Sequence, residues 1–316
     1  MSITNITNLW DLTGILDIPN LRNIPNSTGL RYITGVVDIH DNQYIPNKSY
    51  VYTLIIDRTG ENKRMSALVT AVAITKGGVG KSTSAVSIAH ALTLFEEQRV
   101  LLVDTDPQNN LSTILGQKAG KGLGEILQGS SALSDCVVEA REGLHLLSAG
   151  SSLPRATLAL ANDESPASAL YSLLQSELDA YDHIIIDTSP AWSLMTVNAL
   201  YACDRLLIPI KLESLAIHSL RDFLTRLKNI SDSINPEIHG ILPCGFDRRV
   251  AQSEVLLHAL QDRLSARVLT PIRYHIRVSE SSTYGETIFE TDSSSRAAED
   301  FKKVASTFVN ASVLRQ

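Results

Sequence analysis

Residues 71–90 read AVAITKGGVGKSTSAVSIAH: an apolar run of strand length, a turn holding Gly77, Gly78 and Gly80, and an alanine-rich stretch that opens a helix. A turn that brings backbone N–H groups against phosphate oxygens has no room for side chains, so glycines fill it. A helix beginning directly afterwards adds unpaired N–H donors and a partial positive charge. Gly77, Gly78, Val79, Gly80, Lys81, Ser82 and Thr83 are therefore the expected phosphate-binding residues. Lys81 would reach the β- and γ-phosphates as a point charge, and the Ser82 hydroxyl would ligate Mg²⁺. One lysine suffices for that contact. Lys76, on the far side of the turn, is poorly placed to share it. A glycine turn of purely conformational purpose is the alternative, and the GKS ending between a strand and a helix argues against it.

From Met65 onward, short apolar runs alternate with longer amphipathic ones. Residues 68–75, 99–106, 144–149, 183–189, 205–210, 240–245 and 268–272 read as strands, several of them apolar throughout. Such strands are buried on both faces, as in a parallel sheet covered by helices. Helices are expected over 81–97, 166–179, 193–202, 214–230, 250–264 and 294–311. The fold class is thus α/β: one doubly wound, mainly parallel sheet with helices on both faces, occupying residues 65–316. Ligands are expected beyond the carboxyl ends of its strands.

Residues 1–64 differ in composition, with no alanine and eight asparagines, whereas 65–316 hold 27 alanines. Two readings stand. The segment is either a strand-rich N-terminal extension, with GLRYITGVVDIHD and KSYVYTLIID as β runs around a turn-like NQYIPN, or upstream sequence preceding a true start at Met65.

The chain carries a formal net charge of −6 and 44% hydrophobic residues, enough for a sizeable core. No apolar run approaches the roughly 18 to 20 residues that span a bilayer, and the first twenty residues lack a secretory pattern. Cys136, Cys203 and Cys244 are odd in number and lack metal-ligand spacing, which reads as buried free thiols in a reducing cytoplasm. The eight histidines form no metal or triad spacing. The acidic surplus lies in the middle of the chain, since residues 65–217 have 16 acids against 9 bases, while 218–316 have 12 against 13. A local positive face is compatible with the net charge.

KGGVGKST is similar to the deviant Walker A motif of the ParA/MinD family of P-loop ATPases, in which an extra lysine opens the loop. VLLVDTDPQNNLSTILG (100–116) resembles the family's second motif and YDHIIIDTSP (181–190) its Walker B strand. IPIKLESLAIHSLRDFL (208–224), GFDRR and IRYHIRVSESSTYGE resemble the ParA/Soj partition branch. The likeness spans roughly 65–312. It implies that ATP and Mg²⁺ are the cofactors, and that Asp106, Lys76 and Lys81 are the catalytic set. In that scheme Asp106 positions the attacking water, Asp104 lies near the Mg²⁺ shell, and Asp187 holds Mg²⁺ through water, with Ser82 as a further metal ligand. Lys76 is implied to cross a dimer interface to the nucleotide of the other subunit. Pro107-Gln108 and Thr188-Ser189-Pro190 would sense the γ-phosphate.

The branch further implies a cytoplasmic, slow ATPase whose ATP-bound homodimer binds double-stranded DNA without sequence preference, and which a ParB-like partner stimulates. The candidate DNA contacts are Arg248, Arg249, Arg273, Arg277, Lys302 and Lys303. Nucleoid-based positioning of a protein cargo, of the carboxysome or chemoreceptor-cluster type, is an alternative within the same branch. A membrane-cycling, MinD-like ATPase needs a C-terminal amphipathic helix that inserts into lipid, and KKVASTFVNASVLRQ reads instead as a last helix packed on the domain. An iron–sulfur scaffold would need paired cysteines. Trp192, where relatives often carry a smaller residue, is expected in core or interface packing.

Overall fold

The computed structural model describes residues 31–39, 48–56, 67–118, 120–231, 234, 236–264 and 267–313. In the N-terminal segment, β1 (Arg31–Ile39) and β2 (Lys48–Ile56) pair antiparallel, with Arg31 opposite Ile56 and Ile39 opposite Lys48. These are the two β runs read from the sequence. The intervening NQYIPN and the Met65 boundary lie outside the described residues.

The main body opens with β3 (Leu68–Val72), α1 (Lys81–Glu96), β4 (Val100–Asp104), α2 (Asn110–Ile114) and α3 (Leu123–Leu127). It continues through β5 (Val137–Arg141), β6 (Leu144–Leu147), α4 (Leu153–Leu160), α5 (Ala169–Leu174), β7 (His183–Asp187) and α6 (Leu194–Ala202). Next come β8 (Arg205–Lys211), α7 (Ala216–Asn229), β9 (Glu237–Phe246) and α8 (Ala251–Leu264). The last elements are β10 (Ile272–Arg273), α9 (Ile276–Ser281), α10 (Ile288–Thr291) and α11 (Arg296–Val313).

The strands form one sheet in the order β10-β9-β8-β3-β7-β4-β6-β5, parallel throughout except for β5, which pairs antiparallel with β6. Every residue of β3, β4 and β7 is buried, because successive side chains enter two different cores. Ala71, Leu101, Val103, Ile184 and Ile186 face Leu220 and Phe223 of α7. Val72, Leu102 and Ile185 face Ile88 and Leu92 of α1, together with Phe301, Val304 and Phe308 of α11. Helices on both faces therefore enforce the uninterrupted apolar runs seen in the sequence. Chain direction across the sheet reverses at β3, which lies between β8 and β7, and such a switch point leaves a crevice at the strands' carboxyl ends.

The last helix docks its apolar face on the domain, as expected. No helix among the described residues is long and apolar enough to cross a membrane. Three local differences stand against the sequence reading. The expected strand over 268–272 reduces to Ile272–Arg273 plus an isolated bridge from Val268 to Ile241, because Pro271 has no N–H to give a ladder. The helix expected over 166–179 covers only Ala169–Leu174, followed by a 3-10 turn at Gln175–Glu177. The strand β5 was not foreseen, since its VVEAR sequence leaves Val138 and Glu139 exposed at the sheet edge.

Candidate nucleotide site

Past β3 the chain enters the glycine turn in left-handed backbone geometry, with φ of 69° at Gly78 and 94° at Gly80. An L side chain at either position would be strained, which is why the turn is written in glycine. Gly80 then caps α1 with no side-chain hydrogen bond, and α1 has no acidic residue in its first turn. The positive end of a 16-residue helix is thus left open to an anion.

Lys81, the first residue of α1, is buried, and its Nζ donates to the Lys76 carbonyl at 3.0 Å. Burial pulls its pKa below the usual lysine value, while the charges of Asp187 and Asp106 oppose that fall. The Lys76 ammonium points elsewhere, 2.5 Å from Oε1 of Glu213 in the turn after β8. That contact is the main reason the Glu213 carboxyl is held below its ordinary value.

Asp104 and Asp187 end adjacent strands as direct register partners. Asp104 is fully buried, and each of its oxygens accepts a backbone N–H, from Asp106 at 2.9 Å and from Leu111 at 3.0 Å. Burial pushes its pKa up to about 7, opposed by those two hydrogen bonds and assisted by the Asp106 charge. Asp104 thus shapes the loop that carries Asp106. Its oxygens are committed to amides, so the expected place near a metal shell is at most indirect.

Asp106 is also buried, its Oδ1 accepting the Gln108 N–H at 3.0 Å and its Oδ2 the Asn110 side-chain amide at 3.4 Å. The loop is tied to the sheet by Thr105, whose hydroxyl donates to the Asp187 carbonyl at 2.7 Å, and the segment after β7 is tied to β3 by Thr188, whose hydroxyl donates to the Val72 carbonyl at 2.9 Å.

Asp187 differs from Asp104. Both of its carboxylate oxygens are buried without a hydrogen-bond partner of good geometry. Burial and the Asp104 charge raise its pKa well above the carboxylate range, with the Ser82 hydroxyl and Lys81 pulling the other way. An orphaned, fully buried carboxylate beside a helix-N-terminal serine fits a divalent cation. Mg²⁺ keeps several waters and binds through one or two protein oxygens plus phosphates, the kind of donor set Asp187 and Ser82 offer.

Lys81, Ser82 and Asp106 open on a cavity of about 800 Å³, lined also by Gly77, Pro107, Pro190 and Leu158. A second cavity of about 230 Å³ lies across the glycine turn, where Gly80 and Ser84 meet Cys244, Tyr274 and His275. Sequence reasoning missed it; the PCGF ending of β9 was the only signal. Burial pushes the Cys203 and Cys244 thiols up to about 12, so both stay protonated and unreactive.

The basic candidates are spread over different surroundings. Arg273 is clamped by Asp300, Glu299 and the Arg296 carbonyl, joining β10 to α11. Lys302 stacks over the Phe95 ring at 4.2 Å, and Lys303 pairs with Glu299 at 2.8 Å. Arg248 and Arg249 are exposed in the turn before α8, where Arg249 forks onto Asp247. Arg277, also exposed, meets Glu280 at 3.1 Å. Trp192 packs edge-on against Phe223 of α7, with Arg226 above its ring, so it fills core between the Asp187 loop and that helix.

Residues 67–240 match the AAA domain family AAA_31. The chain is 33% identical over 238 residues to the chromosome-partitioning ATPase Soj of Thermus thermophilus, covering 74% of this chain and 92% of that protein. It is 30% identical over 246 residues to the chromosome partitioning protein ParA of Caulobacter vibrioides, covering 75% and 92%. Among solved structures, cobyrinic acid a,c-diamide synthase from Mycobacterium smegmatis with bound ATP analogue and magnesium superposes with a TM-score of 0.68 at 30% identity, covering 78% of this chain and 96% of that one. The septum site-determining protein MinD of Pyrococcus horikoshii shares the fold at a TM-score of 0.66 and 21% identity, covering 79% and 99%. With its glycine turn, paired lysines and strand-end aspartates in this arrangement, the chain belongs to the AAA_31 family and, within it, to the partition ATPases of the ParA/MinD type.

Proposed function

We propose that this chain is the ATP-driven switch of a plasmid or chromosome partition system. With ATP and Mg²⁺ it forms a sandwich homodimer that binds double-stranded DNA without sequence preference, and a ParB-like partner triggers slow hydrolysis and release. The observation that carries the reading is that Lys81, Ser82 and Asp106 line one cavity at the switch point of the sheet, with the charges of Asp187 and Asp106 acting on the buried Lys81.

The chemistry follows from these residues. The glycine-turn amides and the α1 N-terminus hold the phosphates, and Lys81 exchanges its Lys76 carbonyl for a phosphate oxygen. Asp187 and the Ser82 hydroxyl would hold the cation, which would supply charge neutralisation to the phosphates. Asp106, kept in place by Gln108 and Asn110, orients the attacking water and accepts its proton. Lys76 contributes across the dimer. Pro107, Gln108, Ser189 and Pro190 line the cavity and sense the γ-phosphate.

Arg248, Arg249 and Arg277 supply the phosphate contacts on DNA; Lys302 and Lys303 are also exposed, but Lys302 lies over the Phe95 ring and Lys303 pairs with Glu299. The DNA reading is preferred to a membrane one because α11 buries Phe301, Val304 and Phe308 against the domain instead of presenting them to lipid. The protein is then cytoplasmic, and nucleoid-associated when ATP-bound. The test is binding of the full chain to a nonspecific duplex with ATP, ADP or no nucleotide at two salt concentrations. Binding that needs ATP and weakens steeply with salt supports the reading. ATP-driven dimerisation without any DNA binding overturns it.

A further inference from the structure

Arg141 closes β5, the strand at the edge of the sheet, and its guanidinium joins three separate pieces of the chain. Nη1 donates to the Leu115 carbonyl at 3.2 Å and Nη2 to the Gly285 carbonyl at 2.9 Å, while Nε and Nη2 fork onto the Glu290 carboxylate at 2.6 and 3.2 Å. Its side chain is only 21% exposed. Glu290 is itself anchored: it accepts the Thr287 N–H at 2.7 Å, capping α10, and the Thr287 hydroxyl meets His90 of α1 at 2.8 Å. The clamp therefore ties Leu115 to the helix that carries Lys81.

Leu115 directly follows α2. At the other end of that helix the Asn110 side-chain amide donates to Asp106 Oδ2 at 3.4 Å, and the Leu111 N–H donates to Asp104 Oδ2 at 3.0 Å. A helix of five residues has too few internal hydrogen bonds to keep its own place, so the tethers at its two ends decide where it lies. A cationic side chain on a terminal carbonyl also has the favourable sign for a helix's carboxyl end. Just beyond, the backbones of Gly116 (φ 65°) and Gly285 (φ 71°) touch: a Cβ on Gly285 would stand 2.6 Å from the Gly116 Cα. The rear of α2 is pressed against the chain that leaves the Ser282–Tyr284 turn and is stapled there by Arg141.

We propose that Arg141 is a positioning residue for hydrolysis: by locking the carboxyl end of α2 to Gly285 and Glu290, it fixes the aim of Asp106 at the other end. It rests on the role given to Asp106 above. Without the guanidinium the Leu115 carbonyl loses its donor and α2 is free to tilt, which carries Asn110 and Leu111 away from the two aspartates they hold. The phosphate cradle is untouched, because Arg141 is not among the residues lining the nucleotide cavity.

Hydrolysis of γ-labelled ATP by the full chain with Mg²⁺, at one protein concentration and a range of ATP concentrations, separates kcat from KM; calorimetry gives the ADP affinity. The proteins are the wild type, Arg141→Gln, Arg141→Lys, Glu290→Gln, Asp106→Ala and the Asp106→Ala/Arg141→Gln double variant. For Arg141→Gln, kcat is expected to fall about 10- to 100-fold while KM and ADP affinity stay within about twofold. Arg141→Lys keeps the charge and loses the fork, so its kcat should fall between the two. Glu290→Gln should lose activity in the same direction and by less; should Arg141→Gln fail to fold, these two variants carry the comparison. The double variant should hydrolyse ATP as slowly as Asp106→Ala and no slower, because Arg141 acts through Asp106. A general structural defect would instead lower ADP affinity together with kcat, and that result overturns the inference. An unchanged kcat in Arg141→Gln and Arg141→Lys beside an inactive Asp106→Ala also overturns it and leaves the proposed function standing. Hydrolysis by Asp106→Ala at the wild-type rate removes the catalytic reading and takes this inference with it.

Discussion

Asp104 and Asp187 end neighbouring parallel strands as register partners, and their carboxylates are in opposite states: Asp104 accepts two backbone N–H groups, whereas Asp187 accepts none. Asp104 thereby shapes the loop that carries Asp106, while the Asp187 oxygens are left without such partners. Burial raises the pKa of both, and the Asp104 charge pushes Asp187 further up, which sequence spacing alone could not reveal.

Asp187→Asn should therefore separate stability from function. Replacing a buried, unpartnered carboxylate by its neutral isostere is expected to raise the stability of the nucleotide-free, metal-free chain by about 1–3 kcal/mol. The same variant should lose the extra thermal stabilisation that Mg²⁺ gives to the nucleotide complex. Thermal unfolding with and without Mg²⁺ and ADP reads both effects, and a lower midpoint in the ligand-free variant would contradict the assignment.

Lys81→Ala and Asp106→Ala should fail at different steps. Without Lys81 the phosphates lose their point charge, so nucleotide binding measured by calorimetry should disappear. Asp106→Ala keeps that contact and should bind ATP, dimerise and stay on DNA, with hydrolysis lower by about 100-fold or more. Hydrolysis by Asp106→Ala at the wild-type rate would remove it from the catalytic set.

The part of this site that was legible in the sequence is the part written in local chemistry. The 71–90 stretch gives strand, turn and helix because glycine geometry and an alanine-rich helix each act within a few residues. The two apolar strands that end in Asp104 and Asp187 are visible because both faces are buried. What the sequence could not show is what long-range folding creates. The Lys76–Glu213 pair joins residues 137 positions apart. The role of Asp104 depends on the chain doubling back so that the Leu111 amide reaches it. The helices α2, α3, α9 and α10 are too short for a 3.6-residue period to register. Arg273 read as one more surface arginine until Asp300 on α11 came to face it.

That difference among the arginines gives a contrast. Arg273→Gln should leave the buried Asp300 short of its guanidinium partner and cost about 2 kcal/mol. For a domain of this size the midpoint should drop by about 4–8 °C. Arg249→Gln and Arg277→Gln, both exposed, should leave stability within about 0.5 kcal/mol. On DNA the order reverses: each of these two should lower the salt slope of the dimer by about 2, one lost phosphate contact per subunit. Thermal melts alongside DNA titrations at several salt concentrations separate the two classes, and an unchanged slope for both exposed variants would remove them from the interface.

At the opposite end of the sheet, His183 and His239 pack around Phe308 of α11, and His239 bonds the Thr307 hydroxyl at 3.0 Å. Burial, with the Arg205 charge nearby, lowers both to about 4; Asp182 partly opposes this at His183, and the two rings lower His239 further through mutual repulsion. An unfolded histidine takes a proton near pH 6.5, so between there and pH 4 the unfolded chain binds more protons than the folded one. The histidine contribution is thus intact above pH 6.5 and is lost as pH falls through that window, on the order of 3 kcal/mol for one fully titrated ring. Asp104 and Asp187 work in the other direction, because raised carboxylates favour the folded state as pH falls, so the raw pH curve is a difference of opposing trends. His239→Gln isolates the histidine part: it can keep the Thr307 hydrogen bond and cannot protonate. Urea midpoints at pH 7 and pH 5 should then show a smaller loss, or a gain, in the variant relative to wild type. Equal losses in both proteins would mean that His239 does not titrate between the folded and unfolded states.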